Sequence, residues 1–503
     1  MNRRSLRGVP SLLWLLRGSL GLWRSDRRIR TNMIKEEELT TLTLQDASVQ
    51  LRSKRLSPVD LTHACLARIE RLNPFLNAFI TVSAESALAS ARIAEAEIQR
   101  GRWRGPLHGI PIALKDLFDT ADVRTTAASA LFKDRVPKED AEVVKKLKDA
   151  GAVLLGKTNM HEFAYGATSA GSYFGAVRNP WDAARISGGS SGGSAVAVAA
   201  GLCFAALGSD TAASIRQPAA YCGIVGLKPT YGLVSARGVI PLSWTFDHVG
   251  PLARTVTDSA LLLQAISGND PANIGGRSMP IPDYSAALLD KASPLRVGVA
   301  RAFFFEDLDP EIDQAVTEAL RVLKRLAASL SDVVLPGTPQ ALLDLRATVR
   351  AGEAYAYHEA FVQKSPELYQ PETLTRLRAD AAVNTASYVR GRQDVELIRR
   401  TSGEVFQSVD VIVTPTTPIP PPLLAEVAKD VETSMTLGTR TIRNTAPFNL
   451  LGWPTISVPC GFTSAGLPIG LQISGPSGAE TSMLKLARAY EQVTDWHLRR
   501  APV

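Results

Sequence analysis

Cysteine is scarce in this chain of 503 residues, and the four present are far apart. Cys65, Cys203, Cys222 and Cys460 offer neither a disulfide framework nor zinc-ligand spacing, which fits a reducing compartment, here expected to be the cytoplasm. Histidine is as sparse: His63, His108, His161, His248, His358 and His497 contain no ligand-like pair, so no metal is expected. No stretch reads as a transmembrane helix; the apolar run Val9–Leu16 near the N-terminus is stopped by Arg17. No internal repeat is present. The dinucleotide signature G-x-G-x-x-G is missing, and no lysine follows the main glycine cluster as a phosphate loop would require.

An excess of charge is also missing from the body of the chain. The net charge is +7, but the first 32 residues hold eight arginines against Asp26 alone, which leaves 48 basic and 48 acidic residues in the remainder. The basic character therefore points to no nucleic-acid partner. The leader superficially resembles a signal peptide without a clear small-x-small cleavage site. It is expected to be either an upstream extension, disordered or preceding the working start at Met33, or a targeting or membrane-surface segment. Residues 33–503, in a chain 45% apolar and 21% charged, are expected to form one soluble domain.

What the chain does have is a concentration of small residues and serines from Gly188 to Pro229. The stretch opens with Gly188-Gly189-Ser190-Ser191-Gly192-Gly193-Ser194 and continues to Ser209-Asp210-Thr211-Ala212-Ala213-Ser214-Ile215-Arg216-Gln217-Pro218. Gly/Ser tracts are commonly flexible linkers. Here Ala195 to Leu207 follows directly with only small and apolar residues, which reads as a buried helix and strand and excludes a linker. Residues 188–192 also match G-x-S-x-G, the nucleophile elbow, which would make Ser190 the nucleophile with a histidine base. Ser191 and Ser194 read as loop or cap hydroxyls.

Upstream, Ser57-Pro58 reads as the cap and first turn of a helix over Val59–Leu72, and an Ala/Glu/Arg-rich helix follows from Ala84 to Arg100. Leu107 to Asp119 places Lys115 among apolar residues. A lysine there either reaches from a strand end into water or, if buried, loses proton affinity and becomes a base at neutral pH. A helix over Asp140–Ala150 and a strand from Val153 lead into the glycine-serine stretch. Further on, the pattern predicts a helix over Asp258–Ile266, a loop over Gly268–Pro282, a strand over Leu295–Ala300, a helix over Glu311–Leu330, helices within residues 335–405 and a strand at Val411–Val413.

These motifs, in this order, resemble the amidase signature family from about Leu44 to Val493. The strongest matches are Gly109–Asp119, Gly156–Gly166, Arg178–Pro180, Gly188–Pro229 and Asp247–Asp258. The resemblance implies an α/β fold, one mixed twisted sheet with helices on both faces, and hydrolysis of a carboxamide through an acyl-enzyme with no cofactor. It implies Lys115 as base, Ser190 as a bridging serine after a cis peptide bond and Ser214 as nucleophile. Backbone N–H groups over Thr211, Ala212, Ala213 and Ser214 would form the oxyanion hole, with Asp210 and Arg216 holding that loop. The family's usual Gly-Gly before the nucleophile is Ala212-Ala213 here, which would be strained if either position needed a positive φ, and whose methyls narrow the space for an acyl group.

Three functions follow from that resemblance. The first is a free-standing amidase whose partner is a small-molecule amide, with esters, anilides or carbamates as further substrates and a homodimer permitted. The second is the glutaminase component, or A subunit, of a tRNA-dependent amidotransferase. That component carries an acid shortly before the Pro-x-Asn-Leu-x-Gly-x-Pro segment, where this chain has Thr441-Ile442-Arg443-Asn444. The third is a catalytically weakened binding protein of the same fold, motivated by Ala212-Ala213 and opposed by the presence of Lys115, Ser190 and Ser214.

Overall fold

The computed structural model describes residues 38–276, 279–289 and 294–503; the basic leader and Met33 lie outside these. Eleven strands among the described residues form one sheet: β1 Phe79–Val82, β2 Pro111–Lys115, β3 Val153–Thr158, β4 Ala205–Asp210, β5 Val225–Lys228, β6 His248–Ala253, β7 Arg296–Val299, β8 Ser329–Asp332, β9 Val411–Pro415, β10 Thr455–Phe462 and β11 Pro468–Ser474. Their order is β1-β3-β2-β4-β6-β5-β10-β11-β9-β7-β8. β2 runs parallel to β3 and β4, and β7 runs parallel to β8 and β9. The other neighbours are antiparallel, so the sheet is mixed.

Every residue of β2, β4, β5, β6, β9 and β11 is buried. Successive side chains of a strand point to opposite faces, so burial at every position requires cover on both. Helices supply it, giving the α/β architecture that the family resemblance implied. The edge strands β1 and β8 are only four residues long and partly exposed, a form that discourages pairing with other chains.

Helix starts follow from cap chemistry. Ser57 Oγ accepts from the N–H groups of Val59 and Asp60 ahead of the helix Pro58–Leu76. Asp309 before Pro310 and Thr338 before Pro339 repeat the device, each pairing a side-chain acceptor with a proline that needs no N–H partner. One expectation is corrected. The helix predicted over Glu311–Leu330 runs from Pro310 to Leu326; Ala327 turns extended, and Ser329–Asp332 pairs with β7. Hydrogen bonding to a neighbouring strand there overrides a weak local preference for helix.

Candidate active site

The site grows from two adjacent parallel strands. Leu114 of β2 lies opposite Leu207 of β4, so Lys115 follows on one strand and, after Gly208, Ser209-Asp210 on the other, at the same end of the sheet. Lys115 is fully buried, which settles the alternative left open by its sequence context: it does not reach for water. Its Nζ donates to Ser190 Oγ at 2.7 Å and to Ser209 Oγ at 2.8 Å. Burial lowers its pKa from 10.5 to about 7, opposed by the negative charges of Asp247 and Asp210.

The Gly/Ser loop carrying Ser190 is packed backbone to backbone, which explains its composition. Gly188 has φ +79°, and a Cβ there would lie 2.8 Å from Pro218 Cα. At Gly193 a Cβ would sit 2.3 Å from the Asn159 carbonyl oxygen and 2.5 Å from that of Ala78. The Gly189–Ser190 peptide is cis. Gly189 N–H donates to Gln217 Oε1 at 2.9 Å, and Ser191 N–H donates to the Ser214 carbonyl at 3.3 Å, so the two serine clusters are tied through their backbones. No hydrogen bond links the Ser190 and Ser214 hydroxyls. Ser191 and Ser194 do not act as side-chain caps: Ser191 Oγ donates to the Ser209 carbonyl and Ser194 Oγ to that of Leu207, fastening the loop and its helix to β4.

Thr211 to Ser214 form a turn held from below by a buried ion pair. Arg216 Nη2 donates to Asp210 Oδ1 at 3.0 Å and Nε to Oδ2 at 3.0 Å, and Arg216 also reaches Ala212 O, Asn449 Oδ1, Gln472 Oε1 and Thr445 O. Asp210 Oδ2 accepts from the Ile215 N–H. Desolvation pushes the Asp210 carboxyl pKa up, but the Arg216 charge and hydrogen bonds outweigh it and hold the group well below the usual carboxylate range. On the other side, Thr211 Oγ1 donates to Asp247 Oδ1 at 2.5 Å. Burial raises the Asp247 pKa to about 6, against hydrogen bonds from Thr211 and from the N–H groups of Ser243 and Leu242. Neither Ala212 nor Ala213 has a positive φ, so the strain considered for this pair does not arise.

Ser214 and the three residues before it line a cavity of about 430 Å³. Ala164–Ala167 close one side, and the helix Pro339–Lys364 and residues 438–446 close the others. Ser214 itself is 7% exposed, open to the cavity, whereas Lys115 and Ser190 lie beneath it at 0%. Several residues that matter here were not singled out in the sequence. Ser209 reads in the sequence only as part of a cluster; Gln217, Asp247, Asn449 and Gln472 acquire their roles from partners up to 256 residues away, although Gln217, Asp247 and Asn449 fall in stretches that carry the family likeness.

The model of the Amidase family matches residues 60–484. The chain belongs to the amidase signature family. It is an amide-hydrolysing enzyme with that family's fold. Among relatives, the A subunit of glutamyl-tRNA(Gln) amidotransferase from Geobacter sp. (strain M21) is 40% identical, over 93% of this chain and 100% of its own length. Among solved structures, the native peptide amidase from Stenotrophomonas maltophilia superposes with a TM-score of 0.79 at 33% identity, covering 92% of this chain and 98% of its own. A protein described with a vestigial complex that reveals the origins of an s-triazine catabolic enzyme gives a TM-score of 0.84 at 33% identity, over 92% of this chain and 100% of its own. This signature-family amidase thus resembles both free amidases and a component of an amidotransferase.

Proposed function

We propose that this enzyme is a free-standing amidase that cleaves a small carboxamide through Ser214, Ser190 and Lys115. The observation that carries the reading is the cavity wall over residues 438–446, where Thr441-Ile442-Arg443-Asn444, without a carboxylate, stand in the place at which the amidotransferase component would present an acid. Neutral Lys115 takes a proton from Ser190 Oγ, to which it is bonded, as Ser190 takes the proton of Ser214 Oγ. A hydroxyl serves as both donor and acceptor in that relay. The Ser214 oxygen then attacks the amide carbon, and the N–H groups of the 211–214 turn receive the oxyanion; one such donor is worth about 3 kcal/mol. Reversal of the relay protonates the leaving nitrogen as the C–N bond breaks, and water hydrolyses the ester by the same route.

Asp210 and Arg216 act by positioning the turn, and Ala212-Ala213 restrict the acyl group by their methyls. Esters, anilides and carbamates fit the same chemistry. The protein is expected to act in the cytoplasm. The test is amine or ammonia release from a panel of amides by protein started at Met33. Release lost in Ser214→Ala supports the reading, and release retained there refutes it. A second reading, the glutaminase component of an amidotransferase, draws on the 40% identity over the whole of such a protein. It predicts copurification with a partner protein, and ammonia release from glutamine that depends on that partner.

A further inference from the structure

The cavity above Ser214 is uneven in charge. Arg346, Arg350, Arg376, Arg440 and Arg443 line it, against Asp344 as the one carboxylate among the described residues of its wall. Two of the arginines are neutralised: Arg350 pairs with Asp380 at 3.0 Å and Arg376 with Glu372 at 2.9 Å, and both stack on Tyr165. Arg443 spends its donors on Asn444 Oδ1 and the Glu306 carbonyl, neither of which carries charge. Arg346 has no acidic partner and no hydrogen bond among the described residues, and its Nε is enclosed. Burial and the neighbouring Arg376 lower its pKa to about 10, opposed by the negative charge of Asp210, so it stays cationic at neutral pH.

Arg346 is half-buried with its Nε enclosed, and an unpaired cation in such a place is stabilised by an anion that joins it. For an ammonium the described wall offers one carboxylate, Asp344, exposed and accepting from Gln340 Nε2 at 2.9 Å, against five arginines whose charge repels it. We propose that the substrate is a carboxamide bearing a carboxylate, bound by Arg346 with Arg440 and Arg443 nearby, and lacking an α-amino group. This deepens the amidase reading and rests on it for turnover, but not for binding. The chemistry corresponds to the monoamide of a short dicarboxylic acid: one end reaches Ser214 while the other replaces the missing partner of Arg346.

The test compares glutaramate, its neutral diamide and zwitterionic glutamine as substrates of the full chain. A hydrogen-bonded charge pair contributes on the order of 10- to 100-fold. Glutaramate is therefore expected to exceed both others in kcat/KM by about that factor, mainly through KM. Arg346→Met should collapse the preference and Arg346→Lys should keep part of it, with melting curves confirming that both variants fold. Equal kcat/KM for the anion and the diamide, or a preference unchanged in Arg346→Met, would overturn the proposal. Calorimetric titration of Ser214→Ala with glutaramate separates the two layers. Binding that needs Arg346 sustains the anion site even if no amide is turned over, and no binding overturns it.

Discussion

The proton affinity of Lys115 gives the most demanding check on the proposed relay. In water a lysine is protonated almost completely at neutral pH, with a pKa near 10.5, whereas burial beneath the cavity brings Lys115 to about 7. The neutral fraction at about pH 7 is then roughly one half, on the order of a thousandfold more than an ordinary lysine would supply. Because the proposed relay uses the neutral form as its base, it requires activity to rise with pH and level off above the pKa. Between about pH 6 and pH 8 the neutral fraction climbs roughly tenfold. The assay is kcat/KM on an uncharged amide, so that the substrate does not titrate, measured at constant ionic strength from about pH 5 to pH 10. Asp247 and Asp210 favour the charged lysine, so Asp247→Asn should move the inflection to lower pH. A flat profile, an inflection above about pH 9, or a shift upward in Asp247→Asn would refute the argument.

Other outcomes follow from the same geometry. Ser214→Ala should abolish covalent capture by a fluorophosphonate probe; capture that survives there but disappears in Ser190→Ala would instead favour the elbow arrangement. Asp210→Asn leaves Arg216 buried beside a neutral partner and should cost about 3–5 kcal/mol in denaturant unfolding; a loss below about 1 kcal/mol would mean that the other acceptors of Arg216 suffice. Ala212→Gly with Ala213→Gly relieves no strain, so it should destabilise by about 0.4–1 kcal/mol per site while improving kcat/KM for bulkier acyl groups. Increased stability in that variant would contradict the unstrained backbone of the turn. Gly193→Ala drives a Cβ into two carbonyl oxygens and should cost about 1–3 kcal/mol or more, read as a lowered melting temperature.

Much of this architecture could be read from the chain because local chemistry and tertiary role coincide there. The Ser57-Pro58 start, the strand at Val411–Val413 and the small-residue passage from helix to β4 all carry their own signals. Lys115 was conspicuous because a cation among apolar residues has few explanations, but only packing could decide which one held. β1, β5, β6 and β8 were missed because four to six residues of mixed character do not establish a period. The linking role of Gln217 and the anchoring of Arg216 by Asn449 and Gln472 were beyond sequence reasoning for a different reason: these contacts span 28 to 256 residues, and no spacing rule connects them. The consequence of Ala212-Ala213 was likewise undecidable until the backbone angles were known.

The placement of Lys115 and Ser209-Asp210 on neighbouring parallel strands also bears on how the enzyme should fail when warmed. Adjacent strands are held about 4.8 Å apart by their ladder, and that distance changes only when the ladder breaks. The helix Pro339–Lys364 and residues 438–446, which wall the cavity, lie outside any such ladder. Heat should therefore loosen the grip on substrate first, raising KM while kcat persists, and the chemistry should disappear only with the sheet itself.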